Sequence, residues 1–113
     1  MNGQSGQPDV ATGAPFEFAA AGAARFAVRG AMTFATAARL HAAGLAAFRQ
    51  SADASLELDC SGVLNADSAG LAVLVDWLAW AHQSGRTLHL RNLPAKLLDI
   101  ARISELDTLL DPG

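Results

Sequence analysis

The sequence predicts an α/β fold, a sheet of short strands covered by helices, with the element order β-β-α-β-α-β-α. Three patterns carry this. Ser55-Leu56-Glu57-Leu58-Asp59-Cys60 and Thr87-Leu88-His89-Leu90-Arg91 alternate apolar and polar residues, the period of a half-buried strand. Phe34, Ala37, Leu40, Leu45 and Phe48 recur at near-helical spacing and form one apolar stripe. A second, longer helical stretch separates the two alternating strands. With 113 residues the chain suits one domain. A domain of this size buries roughly 65% of its unfolded surface, enough for a core without metal or disulfide.

Residues 1 to 15, rich in Gly, Pro, Gln and Ser, read as a flexible tail, and residues 16 to 113 as the domain. Phe16-Glu17-Phe18 and Phe26-Ala27-Val28-Arg29, separated by Ala and Gly around Gly22, suggest a hairpin. Gly30 marks a turn, and Thr33 can cap a helix running from Phe34 to about Gln50. The strand Ser55 to Cys60 then presents Leu56, Leu58 and Cys60 to one side. Ser61 to Asp67 reads as a polar loop, after which Asp67 or Ser68 caps a long helix to about Ser84. Gly85 ends that helix as a left-handed cap. After the strand Thr87 to Arg91, Asn92 turns the chain and Pro94 opens a third helix, ending near Ser104. Leu106, Leu109 and Leu110 form a last apolar turn that folds back on the core.

Composition excludes several function classes. Hydrophobic residues at 51% against 17% charged describe a globular chain rather than a disordered one. The net charge is −3, and the eight Lys and Arg residues form no run, which argues against a nucleic-acid partner and against an anionic membrane surface. The single cysteine, Cys60, cannot form an internal disulfide, which fits a reducing compartment. The N-terminus lacks the basic and apolar regions of a signal peptide. The longest apolar run, Ala69 to Ala81, is broken by Asp76 and falls short of the ~20 residues a membrane span needs. A cytoplasmic protein is expected.

The Ser68 to Ser84 helix shows two apolar faces. Leu71, Leu74, Val75 and Leu78 share one, which would pack on the sheet. Val73, Trp77, Trp80 and Ser84 lie roughly opposite, where a surface helix should be polar. Tryptophans on an outward face suggest an interface anchor, although rings lying flat on neighbouring helices would explain the same pattern. On the anchor reading, Trp80→Glu leaves the domain folded and abolishes partner binding.

The segment Asn65-Ala66-Asp67-Ser68-Ala69-Gly70-Leu71 combines a helix cap with small residues that let another backbone approach. A well-capped helix would suffice to account for it. However, Asp67-Ser68-Ala69-Gly70-Leu71-Ala72, between a Leu-rich strand and a long helix, resembles the signature loop of STAS domains. Gly30-Ala31-Met32-Thr33-Phe34-Ala35-Thr36-Ala37 resembles the family's link from the second strand to the first helix.

That resemblance implies a STAS-type single domain with a mixed β-sheet of about four strands covered by three to four helices. It also implies a non-enzymatic binding role. The Asp-Ser-Ala-Gly-Leu-Ala form resembles the small STAS subunit of Mla-type phospholipid-transport ABC complexes, also described as the toluene-tolerance type. Such a subunit sits on the cytoplasmic ATPase, in complex with a membrane permease, and the transporter maintains outer-membrane lipid asymmetry. The implied partner-binding residues are Asp67, Ser68, Ala69, Gly70, Val73, Trp77 and Trp80, with Ser68 central. The alternative is an anti-sigma-factor antagonist that binds an anti-sigma kinase. In that branch the residue before the glycine is usually phosphorylated; here it is Ala69, without a hydroxyl, which leaves Ser68 as the candidate phosphorylation site.

No catalytic constellation accompanies these residues. His41, His82 and His89 fall in three different elements, and no Cys-x-x-Cys, His-x-x-x-His or Gly-rich phosphate loop occurs. Cys60 reads as a buried strand residue. No metal, cofactor or catalytic residue is therefore expected.

Overall fold

A computed structural model describes residues 16 to 110. The expected tail, residues 1 to 15, lies outside the described residues, as do residues 111 to 113. Four strands, β1 (Phe16–Ala20), β2 (Arg25–Met32), β3 (Ser55–Ala66) and β4 (Thr87–Arg91), form one sheet in that order. β1 and β2 pair antiparallel as the expected hairpin, whereas β2–β3 and β3–β4 are parallel. The parallel pairs need crossovers, supplied by α1 (Ala37–Gln50) and α2 (Ser68–Gln83). Two shorter helices, α3 (Ala95–Ile103) and α4 (Asp107–Leu110), close the domain. The mixed four-stranded sheet with four helices is the fold class the sequence implies.

The inward-facing residues Phe26, Val28, Met32, Leu56, Leu58, Cys60 and Leu88 are buried beneath the helices. The opposite face of the sheet is polar and carries exposed ion pairs, Arg29 with Glu17 and Arg91 with Glu57, each at 3.5 Å. Pairs so exposed contribute at most about 1 kcal/mol each. They mark a solvated surface rather than a source of stability.

The expected loop from Ser61 is instead the second half of β3, a 12-residue strand. Two register shifts against β2 hide it from a period-of-two reading. Ala27 pairs with Asp59 but Arg29 with Gly62, so β3 holds one extra residue there. Gly30 pairs with Val63 but Ala31 with Asn65, leaving Leu64 as a second extra residue. Each bulge resets which side faces inward. Thus Val63 is buried in line with Leu56, Leu58 and Cys60, while Leu64 is turned out. The Asp59 carboxylate accepts the Ser61 backbone N–H at 2.9 Å, providing a partner for a donor at the first bulge. Gly30, expected in a turn, sits inside β2 at the second irregularity with φ 91°.

The first helix begins at Ala37, not Phe34, and Thr33 does not cap it. The buried Thr36 hydroxyl instead accepts the Thr33 N–H at 3.0 Å and donates to the Ala31 carbonyl at 2.9 Å. The segment between is thereby tied into a tight turn. The second helix ends as expected, with Gly85 in the left-handed region at φ 72°. α4 folds back through Leu110, which is buried.

The largest departure concerns the two-faced helix. Val73 and Trp77 are core residues, and Trp77 is fully buried. α1 packs along the side of α2 that the helical wheel left open. The Trp77 ring meets Phe48 at 5.5 Å and Phe18 at 5.6 Å, both edge-on, and its indole N–H donates to the His41 carbonyl at 3.2 Å. Phe48 also meets Phe26 edge-on at 5.2 Å. Such aromatic pairs contribute about 0.5–1.5 kcal/mol each beyond their buried area. The two helices approach closely because α1 carries Gly44 at the crossing: a Cβ there would lie 2.3 Å from the Trp77 ring. Gly44→Ala is accordingly predicted to lower stability by about 1–3 kcal/mol through overpacking. A thermal melt followed by circular dichroism tests this, and an unchanged melting temperature would mean that the α1–α2 contact is looser than described.

Candidate functional site

The C-terminal ends of the two central strands meet the start of α2, and there the sequence-singled loop is assembled. Asp67 is the N-cap of α2. One oxygen of its carboxylate accepts the N–H groups of Ala69 at 2.9 Å and Gly70 at 3.3 Å, satisfying donors that an uncapped helix leaves free. The other accepts the Phe34 N–H at 3.1 Å, across 33 residues of sequence. The Asp67 backbone N–H donates in turn to the Met32 carbonyl at 3.2 Å. Asp67 therefore joins α2 to the turn after β2.

Ser68, the first residue of α2, is exposed, whereas Ala69 is half-buried and Gly70 buried. A Cβ on Gly70 would lie 2.1 Å from the Met32 carbonyl oxygen. The backbone that approaches this glycine is thus the chain's own second strand, which corrects the expectation that Gly70 keeps the surface low for a partner.

Val73 and Trp77, expected on an outward binding face, are inside the core and do not present their side chains at the surface. Trp80 is half-buried: its ring stacks on Phe48 at 5.8 Å and lies under the Arg86 guanidinium at 5.3 Å. The same guanidinium donates to the carbonyls of Phe48 and Ser51. Trp80 is thus part of the seal between α1 and the end of α2, and Trp80→Glu acts on folding as well as on the surface. The wheel misassigned this face because it assumes one covered side, whereas α2 contacts the sheet, α1 and α3.

Two exposed apolar side chains at this end of the sheet were not singled out from sequence. Phe34 is 86% exposed at the tip of the Thr36-tied turn, and Leu64 is 83% exposed on the second bulge. Sequence periodicity puts Phe34 in a helical stripe and Leu64 in a polar loop. Leu64, an apolar residue in an otherwise polar stretch, was the available signal. Beside Leu64 the open face of the sheet holds a groove of about 440 Å³, lined also by Phe16, Glu17, Arg29, Gly30 and Gly62.

Two titratable groups of the described residues depart from their ordinary behaviour. Burial, assisted by the neighbouring Asp59 charge, pushes the Cys60 thiol up to about 12, which keeps it protonated and unreactive at neutral pH. Hydrogen bonds from the Asn92 amide and from Ser61 hold the exposed Asp59 carboxyl below its ordinary value. Among the described residues no group of three or more His, Cys, Asp or Glu is placed to hold a metal ion.

The division of labour in the loop is testable by a pair of substitutions. Asp67→Ala is predicted to cost about 0.5–2 kcal/mol as a lost cap. Ser68→Ala, at an exposed position, should change stability by less than about 0.5 kcal/mol. Chemical denaturation of both variants reads this difference; equal losses would mean that Ser68 shares the structural role.

Comparison with known proteins follows the same lines. A search of curated proteins finds no match. Among solved structures, the chain is similar to that described as the anti-sigma factor antagonist SpoIIAA in its unphosphorylated form. The TM-score is 0.64 at 15% identity, covering 82% of this chain and 83% of that one, a likeness of fold. The family model described as "Mlab, STAS domain" matches residues 17 to 111. The four-stranded mixed sheet, the Asp67-capped second helix and this match over nearly the whole domain establish that the chain belongs to the STAS domain family.

Proposed function

We propose that this chain is a non-enzymatic STAS subunit that docks on the ATPase of an ABC-type phospholipid transporter and supports its activity. The observation that carries the reading is the Mlab-type family match, together with an exposed Ser68 standing on a rigid, Asp67-capped helix start. Members of the family are typically binding domains, and here the exposed chemistry is a hydroxyl and apolar side chains rather than a reactive centre. Of the residues singled out in the sequence, Ser68 supplies the outward contact. Asp67, Ala69 and Gly70 hold it in place. A subunit of this kind alters an ATPase by binding one of its conformations more tightly than another. None of the described helices is long and apolar enough to cross a membrane. On this reading the protein works in the cytoplasm, peripheral to the inner membrane through its ATPase partner and the associated permease, and serves outer-membrane lipid asymmetry.

The exposed Ser68 hydroxyl at a helix start also favours a second reading, an anti-sigma-factor antagonist switched by phosphorylation. A phosphate there would meet the positive end of α2.

Affinity purification of the tagged full chain from its own cells separates the two readings. The expected result is co-purification of an ABC ATPase with its permease, weakened about tenfold or more in apparent affinity by Ser68→Ala. Recovery of a kinase-type anti-sigma factor, with phosphate on Ser68, would replace the transporter reading by the second one.

A further inference from the structure

Phe34 and Leu64 are exposed by backbone devices rather than by chance. Phe34 stands on a turn fixed from both ends: the Thr36 hydroxyl bridges Thr33 and Ala31, and the Phe34 N–H is held by Asp67. Leu64 is the extra residue of a bulge between two strands, and its neighbours Val63 and Asn65 remain paired with β2. Both lie at the end of the sheet where α2 begins with Ser68. Bulges at such places re-aim a side chain, and a side chain held in position before binding loses less entropy when it docks.

The two loop segments that carry these side chains hold little charge. In Ala31 to Thr36 and in Leu64 to Leu71 the sole charged side chain is Asp67, and its two carboxylate oxygens accept three backbone N–H groups. Arg29, across the groove beside Leu64, is paired with Glu17. Besides that neutralised pair, the segments offer apolar area, the Asn65 amide and the hydroxyl of Ser68. A charged partner surface would lose water there without gaining a counter-ion.

We infer that Phe34 and Leu64 are the anchors of the docking surface, and that they insert into an uncharged, apolar recess on the ATPase subunit. The inference rests on the transporter reading above and specifies the chemistry of its contact.

The experiment measures the affinity of the purified full chain for the purified ATPase subunit of the same transporter, across a salt series. Variants Phe34→Ser, Leu64→Ser and, as a control, Ile103→Ser are compared. Ile103 is equally exposed at 84% but lies at the end of α3. Thermal melts confirm that each variant is folded. The expected result is a Kd raised about tenfold or more by Phe34→Ser and by Leu64→Ser and unchanged by Ile103→Ser. Kd should also shift less than about threefold between roughly 0.05 and 0.5 M salt, because screening acts on charge pairs. Wild-type binding that survives both Phe34→Ser and Leu64→Ser, or that collapses with salt, overturns the inference and leaves the transporter reading standing. Failure of the wild-type chain to bind the ATPase removes both.

Discussion

The Asp67 carboxylate is the constraint on which the candidate site depends. One oxygen closes the start of α2, and the other reaches the Phe34 N–H on the turn that leads into α1. The two crossovers of the sheet are thereby joined at one point, where the central strands end. With the Asp67 N–H on the Met32 carbonyl and Gly70 pressed against that same carbonyl, the first turn of α2 has no freedom to slide along the sheet. Ser68 is consequently displayed from a fixed base. The short side chains of the loop serve this internal closure first; what they leave exposed is available for binding.

The same region shows how irregularity in a strand can be constructive. A regular β3 would place every second residue inward to its end, and Leu64, six residues after Leu58, would be buried. Two extra residues instead place Val63 inward and Leu64 outward, while Asp59 satisfies a backbone donor at the first bulge. The Leu64 side chain so exposed stands three residues before the Asp67 junction. The polar face of the sheet, with its paired charges, contrasts with this apolar side chain.

Farther along α2, the apolar residues that looked like a binding face are the second half of the core. Trp77 fills the space between the helices, and Gly44 of α1 makes room for it. Packing the largest fully buried side chain of the described residues between α1 and α2 joins the helices to each other as well as to the sheet. Its indole N–H finds the His41 carbonyl, so the ring is buried without an orphaned donor. Trp80, one turn on, is only half covered because α1 is ending there, and Arg86 completes its shelter.

Local pattern determined much of this protein. The strand cores Ser55 to Cys60 and Thr87 to Arg91, the body of each long helix, the Asp67 cap and the left-handed Gly85 depend on residues within a few positions of each other, and they stand in the structure where the sequence indicates, whereas the start of α1 and the end of β3 do not. The family motif likewise lies on consecutive residues and could be read directly. Tertiary structure decided what depends on neighbours distant in sequence. Whether Trp77 faces water or α1 is set by a glycine 33 positions earlier, which no wheel drawn on α2 alone can see. The inward side of β3 beyond Cys60 is set by its register against β2, and a bulge reverses that side without any change of composition. Phe34 is exposed because a buried threonine hydroxyl and Asp67 hold its turn outside the helix. Periodicity registers what one element would bury against a single flat neighbour. Here the deciding contacts came from a second neighbour, and they exist only once the chain has folded.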